Sequence, residues 1–265
     1  MSLRPGAEHA IELWKKLPGS ASQLKSSLDL YDEVFSRVCD RKKAKHLVAV
    51  EKKFNKMFEN SDVKSIGTKD LRQMIELKHT KCKARPLRKD FDQGNPEAKV
   101  QSVTEKAFQE VRSGRWEAAI KTLSELYCVG PATATSILSF VDPLVCYAAD
   151  EVLNVAATRV YDLKTTLSMN KNLIEMTKTL NGTKSGSDSF IWAPNHIGKG
   201  LYCWAVMNAD RGYSGGPVSP MTDLITKVNA DGNHDEETNG SSKGVKRVLV
   251  NMDNKKNSTK KRVKK

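Results

Sequence analysis

The sequence predicts an all-α protein. Three observations carry that expectation. Apolar residues recur at helical spacing through most of the first 211 positions. No run alternates apolar and polar residues long enough to read as a strand. Gly, Pro and capping residues interrupt the pattern at short intervals.

The elements follow in chain order. A first helix is expected over 7–17, AEHAIELWKKL, where Ala10, Leu13, Trp14 and Leu17 share a face. A second is expected over 28–38, with Leu28, Tyr31, Val34, Phe35 and Val38 at the same spacing. A third, over 44–58, carries Leu47, Val50, Phe54 and Phe58. The stretch 68–80 opens on Thr68, a good N-cap, and carries Leu71, Met74, Ile75 and Lys78. Residues 81–97, KCKARPLRKDFDQGNPE, read as a basic connection holding two prolines. Helical spacing returns over 98–114, 116–127, 150–161, 171–181 and 193–211, and GTKSGSDS (182–189) reads as a flexible turn. After RGYSGGPVSP (211–220) aromatics vanish and Asn, Asp, Ser and Lys dominate. Residues 1–214 are therefore read as a helical domain and 215–265 as a disordered basic tail.

At 265 residues the chain suits one large domain or two small ones. Its net charge of +13 favours an anionic partner, nucleic acid before an acidic membrane surface. The five cysteines are odd in number and no two sit at C-x-x-C spacing. That argues against a zinc site or an iron–sulfur cluster, so no metal and no cofactor are expected. The thiols are expected to be reduced and buried. No stretch has the length of a signal peptide's apolar core or of a membrane span, so a soluble, non-secreted monomer is expected, with no membrane partner. The tail holds two basic clusters, KGVKR (243–247) and KKNSTKKRVKK (255–265). These suit a nuclear-import receptor, and hence a nuclear location, or a nonspecific DNA-binding arm; a purely solubilising tail is the plain alternative.

The most informative stretch is LSELYCVGPATATSIL (123–138). Gly130 can cap a helix and Pro131 suits its first position. The first amides of such a helix lack intrahelical partners and carry the positive end of its dipole, so a phosphate oxygen can bind there without a charged side chain. Small residues Thr133, Ala134 and Ser136 let the helix pack closely, and Leu123, Leu126, Val129, Ile137 and Leu138 supply an apolar clasp. An ordinary αα-hairpin of a helical bundle has the same features. Asp150 lies 20 residues past Gly130. Its plain reading is a helix cap.

With the hairpin, the DP loop at 142–143, the apolar run LVCYAA and then Asp150, the sequence resembles the helix-hairpin-helix DNA glycosylase superfamily over 115–161. LKHTKCKARP (77–86), VGPATATSIL and YAADE are most similar to its Amun-like branch of eukaryotic DNA glycosylases. The resemblance implies a two-lobed all-helical fold with the hairpin at 116–141. It also implies double-stranded DNA as partner and Asp150 as the catalytic carboxylate. Members that also cut the backbone carry a lysine two residues after the second hairpin glycine. Ala132 stands there, which implies a monofunctional enzyme, with Lys78 or Lys81 as the alternative amines. The superfamily's hairpins usually read Gly-hydrophobic-Gly; here Cys128 replaces the first glycine, and cysteine is poor at positive φ.

Removing a base from its sugar passes through an oxocarbenium-like state, which a carboxylate stabilises while water attacks. The base must first be flipped from the duplex into a pocket. Tyr147, Trp192 and Trp204 are candidates to line it, and each reads equally as plain core. Val129, Gly130, Ala132 and Thr133 are candidates to hold the DNA backbone. So are Lys78, Lys81 and Arg85 of the basic run, whose alternative is a solvated loop. A second function stands beside the enzyme: a catalytically silent DNA- or chromatin-binding nuclear protein that keeps the fold. A plain helical interaction protein explains neither Asp150 nor the charge.

Overall fold

The structure, a computed structural model, describes residues 6–59, 62–82, 86–158, 160–183, 190–209, 224 and 226–229. Every regular element among them is a helix. In chain order these are α1 (Ala7–Lys16), α2 (Ala21–Asp29), α3 (Tyr31–Arg41), α4 (His46–Glu59), α5 (Thr68–Lys81) and α6 (Phe91–Gly94). There follow α7 (Glu97–Arg112), α8 (Trp116–Leu123), α9 (Pro131–Val141), α10 (Asp150–Ala156), α11 (Leu163–Gly182) and α12 (Pro194–Ala209).

The helices pack as two groups around one continuous core. The middle of the chain forms the first, with α8 on α7 and α9 on α4, α5, α7 and α8. The two ends form the second, with α12 against α1, α2, α3, α10 and α11. The apolar stripes explain the packing. Phe54 and Phe58 of α4 and Phe108 of α7 are buried, with the Phe58 and Phe108 rings edge-on at 5.5 Å. Leu13, Leu24, Leu201 and Cys203 are buried in the other group.

Several boundaries differ from the sequence reading, each for a local reason. The helix expected over 28–38 begins at Tyr31, and α2 precedes it as a separate element. Polar ASQLKSSLD buries only Leu24 and Ser27, too narrow a stripe to read. The helix expected over 116–127 ends at Leu123, and turns lead to the hairpin. The helix expected over 150–161 ends at Ala156. The chain leaves it so that Asp162 can cap α11, accepting from the Thr165 amide at 2.7 Å.

The boundary at 214/215 also needs correction. Leu224 and residues 226–229 are helical, and Leu224 and Val228 are fully buried in the core. The domain therefore reaches at least 229. The expectations for the basic clusters of the tail lie outside the described residues. No described helix is long and apolar enough to cross a membrane. Of the five free cysteines four are buried, but Cys128 is exposed.

Candidate active site

The hairpin turn is built from its backbone upward. Asn95, fully buried, clamps Tyr127: its side-chain amide donates to the Tyr127 carbonyl and its oxygen accepts from the Tyr127 amide, both at 2.9 Å. Cys128 then takes φ +64°, the left-handed conformation that a glycine would supply. The turn thus keeps the hairpin geometry at the cost of placing a Cβ in a disfavoured region. Gly130 caps α9 at φ −85° and ψ 173°, with Pro131 behind it. Any residue could adopt that conformation, and a Cβ built on Gly130 would meet nothing within 4 Å. The fold therefore does not require a glycine here, whereas an approaching ligand backbone would.

The amides of Gly130 and Ala132 find no acceptor among the described residues. Val129 behaves differently from the expectation. Its amide donates to the Leu126 carbonyl at 3.1 Å and its side chain is buried, so it clasps the core and offers no donor.

Asp150 opens α10 at the end of a connection, 142–149, that turns at 143–145 and then runs irregularly to the helix. The polar backbone of that segment is satisfied by buried side chains. Asn170 of α11 accepts from the Cys146 amide at 2.9 Å and donates to the Leu144 carbonyl at 3.1 Å. Thr135 of α9 accepts from the Ala148 amide at 3.1 Å. Gly198 of α12 makes room for Cys146, whose Sγ would lie 2.1 Å from an added Cβ. Ala149, not Asp150, is the N-cap, and it makes no side-chain bond. The plain reading of Asp150 as a cap is thereby replaced by one in which its carboxylate faces other groups.

These elements meet in a cleft of about 400 Å³. Lys78, His79 and Cys82 come from α5 and its end, Pro86, Leu87 and Arg88 from the next connection, and Cys128, Gly130, Ala132 and Thr133 from the hairpin. Asp150 and Tyr161 complete it. Asp150 is the sole carboxylate among these lining residues, facing three basic side chains. It is 1 % exposed, and the Tyr161 hydroxyl donates to it. Tyr161, read from sequence as a helix end, is thus a site residue that the periodicity concealed. Arg88 is exposed and held by Asp90 at 3.2 Å. Hydrogen bonds from Tyr127 and Arg88 keep the Asp90 carboxyl below its usual range. A second groove of about 620 Å³ abuts the first through His79, Pro86 and Leu87 and adds Lys42 and Arg72.

Four candidates fall elsewhere. Lys81 does not face the cleft: its ammonium pairs with Glu51 at 2.5 Å, with side-chain exposures of 9 % and 5 %. Tyr147 lies behind the cleft wall, its hydroxyl bonded to Cys82 Sγ at 2.6 Å and to the Lys78 carbonyl at 3.2 Å. Trp192 is buried edge-on against Phe190 at 4.9 Å, with its backbone tied to Asn181. Trp204 packs on α1, its indole N–H donating to the His9 carbonyl at 3.2 Å. All three aromatics are occupied by packing. Arg85 lies outside the described residues. Among the described residues no cluster of His, Cys, Asp and Glu could hold a metal.

Compared with known proteins, the chain matches no family model, no curated protein and no solved structure.

Proposed function

We propose that this chain is a monofunctional DNA glycosylase that flips a damaged or mismatched base from duplex DNA and releases it by water, with Asp150 as the catalytic carboxylate. One observation carries the reading: a single cleft holds the unbonded amides of the hairpin and one carboxylate among basic side chains. The amides of Gly130 and Ala132 suit a phosphate oxygen. Lys78 and Arg88 add positive charge. Asp150 suits the cationic sugar that develops as the base leaves. The basic clusters at 243–247 and 255–265 fit an import receptor and a nuclear location.

The second reading, a catalytically silent DNA-binding protein, is favoured by a different observation. Asp150 is covered by Tyr161, which must move before a sugar can reach the carboxylate. Base release from a panel of damaged and mismatched duplexes separates the two. Asp150→Asn is expected to lose ~10²-fold or more in rate with duplex binding retained. Gly130→Val is expected to weaken binding first, by filling the approach to the amides. Equal base release by Asp150→Asn and the natural chain would remove Asp150 from the mechanism. DNA binding without base release from any substrate would leave the silent binder.

A further inference from the structure

A small polar cavity of about 20 Å³ lies where the two helix groups meet. Glu51 of α4 and Lys81 of α5 reach it from one group, and Tyr31 of α3 with Asn195, Lys199 and Tyr202 of α12 from the other. Two cations and one carboxylate line it, an excess of one positive charge. Glu51 is committed: its Oε1 accepts from Lys81 at 2.5 Å and from the Tyr31 hydroxyl at 2.6 Å. Lys199 is not. Among the described residues its ammonium makes no hydrogen bond and no ion pair, and it stands over the Tyr31 ring at 4.7 Å. Burial, and then the charge of Lys81, hold it below its usual 10.5, so its charge is under-compensated. The Tyr202 hydroxyl is a second orphan. Tyr202 is 3 % exposed, and its oxygen has no hydrogen-bond partner among the described residues. A buried hydroxyl left without a partner costs stability, and such groups in folded proteins are ordinarily satisfied. Asn195 Oδ1 is unpartnered as well, while its amide nitrogen donates to the Ser139 carbonyl at 3.1 Å. A lysine ammonium carries three hydrogens, enough for that oxygen and for an occupant of the cavity.

We propose that this cavity is a binding site for a single chloride ion, held by the Lys199 ammonium and the Tyr202 hydroxyl. The site is independent of the glycosylase reading. Size and charge select the ion. A void of this volume takes one sphere about as large as a water molecule, which excludes phosphate, sulfate and carboxylates. A cation would add to a charge already in excess. A water would satisfy the hydroxyl but leave the positive charge uncompensated where solvent is scarce. A monatomic anion accepts from both donors and brings the lining to neutrality. Its position gives it a structural role. The ion would join α12 of one helix group to α4 and α5 of the other through the Glu51–Lys81 pair. Tyr147 also lines the cavity, and its hydroxyl donates to the Lys78 carbonyl at 3.2 Å on the cleft side. The ion would therefore stand one side chain away from the cleft wall.

The test melts the full chain at fixed pH and fixed ionic strength while sodium chloride replaces sodium gluconate, whose anion is too large for the cavity. An ion that binds the folded chain alone stabilises it in proportion to the logarithm of its concentration once the site is filling. Each tenfold of chloride in that range is expected to raise the melting temperature by about 3–6 °C. Tyr202→Phe keeps the ring and removes the donor, and Lys199→Met keeps the stem and removes the charge. Both are expected to melt in gluconate no lower than the natural chain and to lose the response to chloride. Crystals grown with bromide in place of chloride are expected to show its anomalous signal in the cavity beside Lys199 and Tyr202, and none there in Lys199→Met. An equal chloride response in the natural chain and in Tyr202→Phe places the ion elsewhere and overturns the proposal. So does a natural chain that melts alike in the two salts, or bromide confined to the surface with the cavity holding water. Since no DNA enters the assay, its outcome and that of the base-release panel are independent.

Discussion

Lys81 and Glu51 offer the sharpest test of how the interior is arranged. Glu51 accepts from Lys81 at 2.5 Å and from the Tyr31 hydroxyl at 2.6 Å, and both ion-pair side chains are at least nine-tenths buried. Lys199 lines the same small enclosed cavity, of about 20 Å³, and stacks over the Tyr31 ring at 4.7 Å. The Glu51 carboxylate thus pairs with Lys81 and acts at longer range on Lys199. Removing one member of a buried pair costs about 3–5 kcal/mol, because the other is left buried and uncompensated. Lys81→Met should fall at the low end, since Lys199 remains beside Glu51. Glu51→Gln should fall at the high end, since it strands two cations. For a domain of this size about 3 kcal/mol corresponds to a melting shift of ~6–12 °C. Burial, and next the charge of Lys81, already hold the Lys199 ammonium below its usual 10.5. Losing Glu51 lowers it further. Between that folded value and an unfolded value of about 10.4 the unfolded chain binds more protons. Stability therefore rises with pH there. The deficit of Glu51→Gln should shrink as pH is raised from about 7 towards about 10. Thermal melts over that range, with DNA affinity measured alongside, make the assay. If Lys81→Met leaves the melting temperature alone and instead weakens DNA binding, Lys81 faces the DNA and the buried pairing with Glu51 is wrong.

Two further outcomes are expected. Burial, with the Lys199 and Lys25 cations beside it, holds the His196 imidazole below 6.5; its Nδ1 accepts from the Ala193 amide at 3.2 Å and gives up that bond on protonation. The unfolded chain takes up the proton first, so denaturant midpoints should fall as pH drops below about 6.5 and fall less in His196→Asn. Removing 235–265, which carries ten basic and four acidic residues, should leave Leu224 and Val228 in place and the melt unchanged. It should flatten the salt dependence of DNA binding by about 0.9 in log–log slope for each phosphate that the segment neutralises, and should abolish nuclear accumulation; an unchanged slope and location would make the segment a solubilising appendage.

Much of the helical order was legible because its signals are local. Gly130-Pro131 opens α9 and Asp150 opens α10, whereas Thr68, expected as a cap, is the first residue of α5, with Gly67 at the cap position and the Thr68 hydroxyl donating to the Asn95 carbonyl. Gly130, Ala132, Thr133, Lys78 and Asp150, chosen from spacing and resemblance, line one cleft. What was not legible depends on partners distant in sequence. Glu51 sits where a helix pattern assigns a solvent-facing acid, and its burial is made tolerable by Lys81, 30 residues on, and by the Tyr31 hydroxyl. Tyr161 continues the helical spacing of 150–161 although α10 ends at Ala156, because the exit that frees Asp162 to cap α11 has no periodic signature. Aromatic type alone could not separate a base-stacking wall from packing, and Trp192 and Trp204 proved to be packing. Leu224 and Val228 were too sparse among polar residues to show that the chain returns to the core.

The hairpin and the carboxylate are mechanically one device. The helix that begins at Gly130 carries Thr135, whose hydroxyl holds the Ala148 amide two residues before Asp150. The same hydroxyl donates back to the Ala132 carbonyl at 3.1 Å. A phosphate seated on the Gly130 and Ala132 amides would therefore stand in a set relation to the carboxylate, through one helical turn and one side chain. Side chains locked by their own hydrogen bonds hold reacting groups more closely than groups on loops do. Such fixed placement is what converts binding into rate. Asn95 does the corresponding work on the other side of the turn, gripping Tyr127 so that Cys128 stays at its positive φ. The strain at Cys128 is then not a defect of the hairpin. It is held there by a buried side chain whose only visible task is to keep the turn closed.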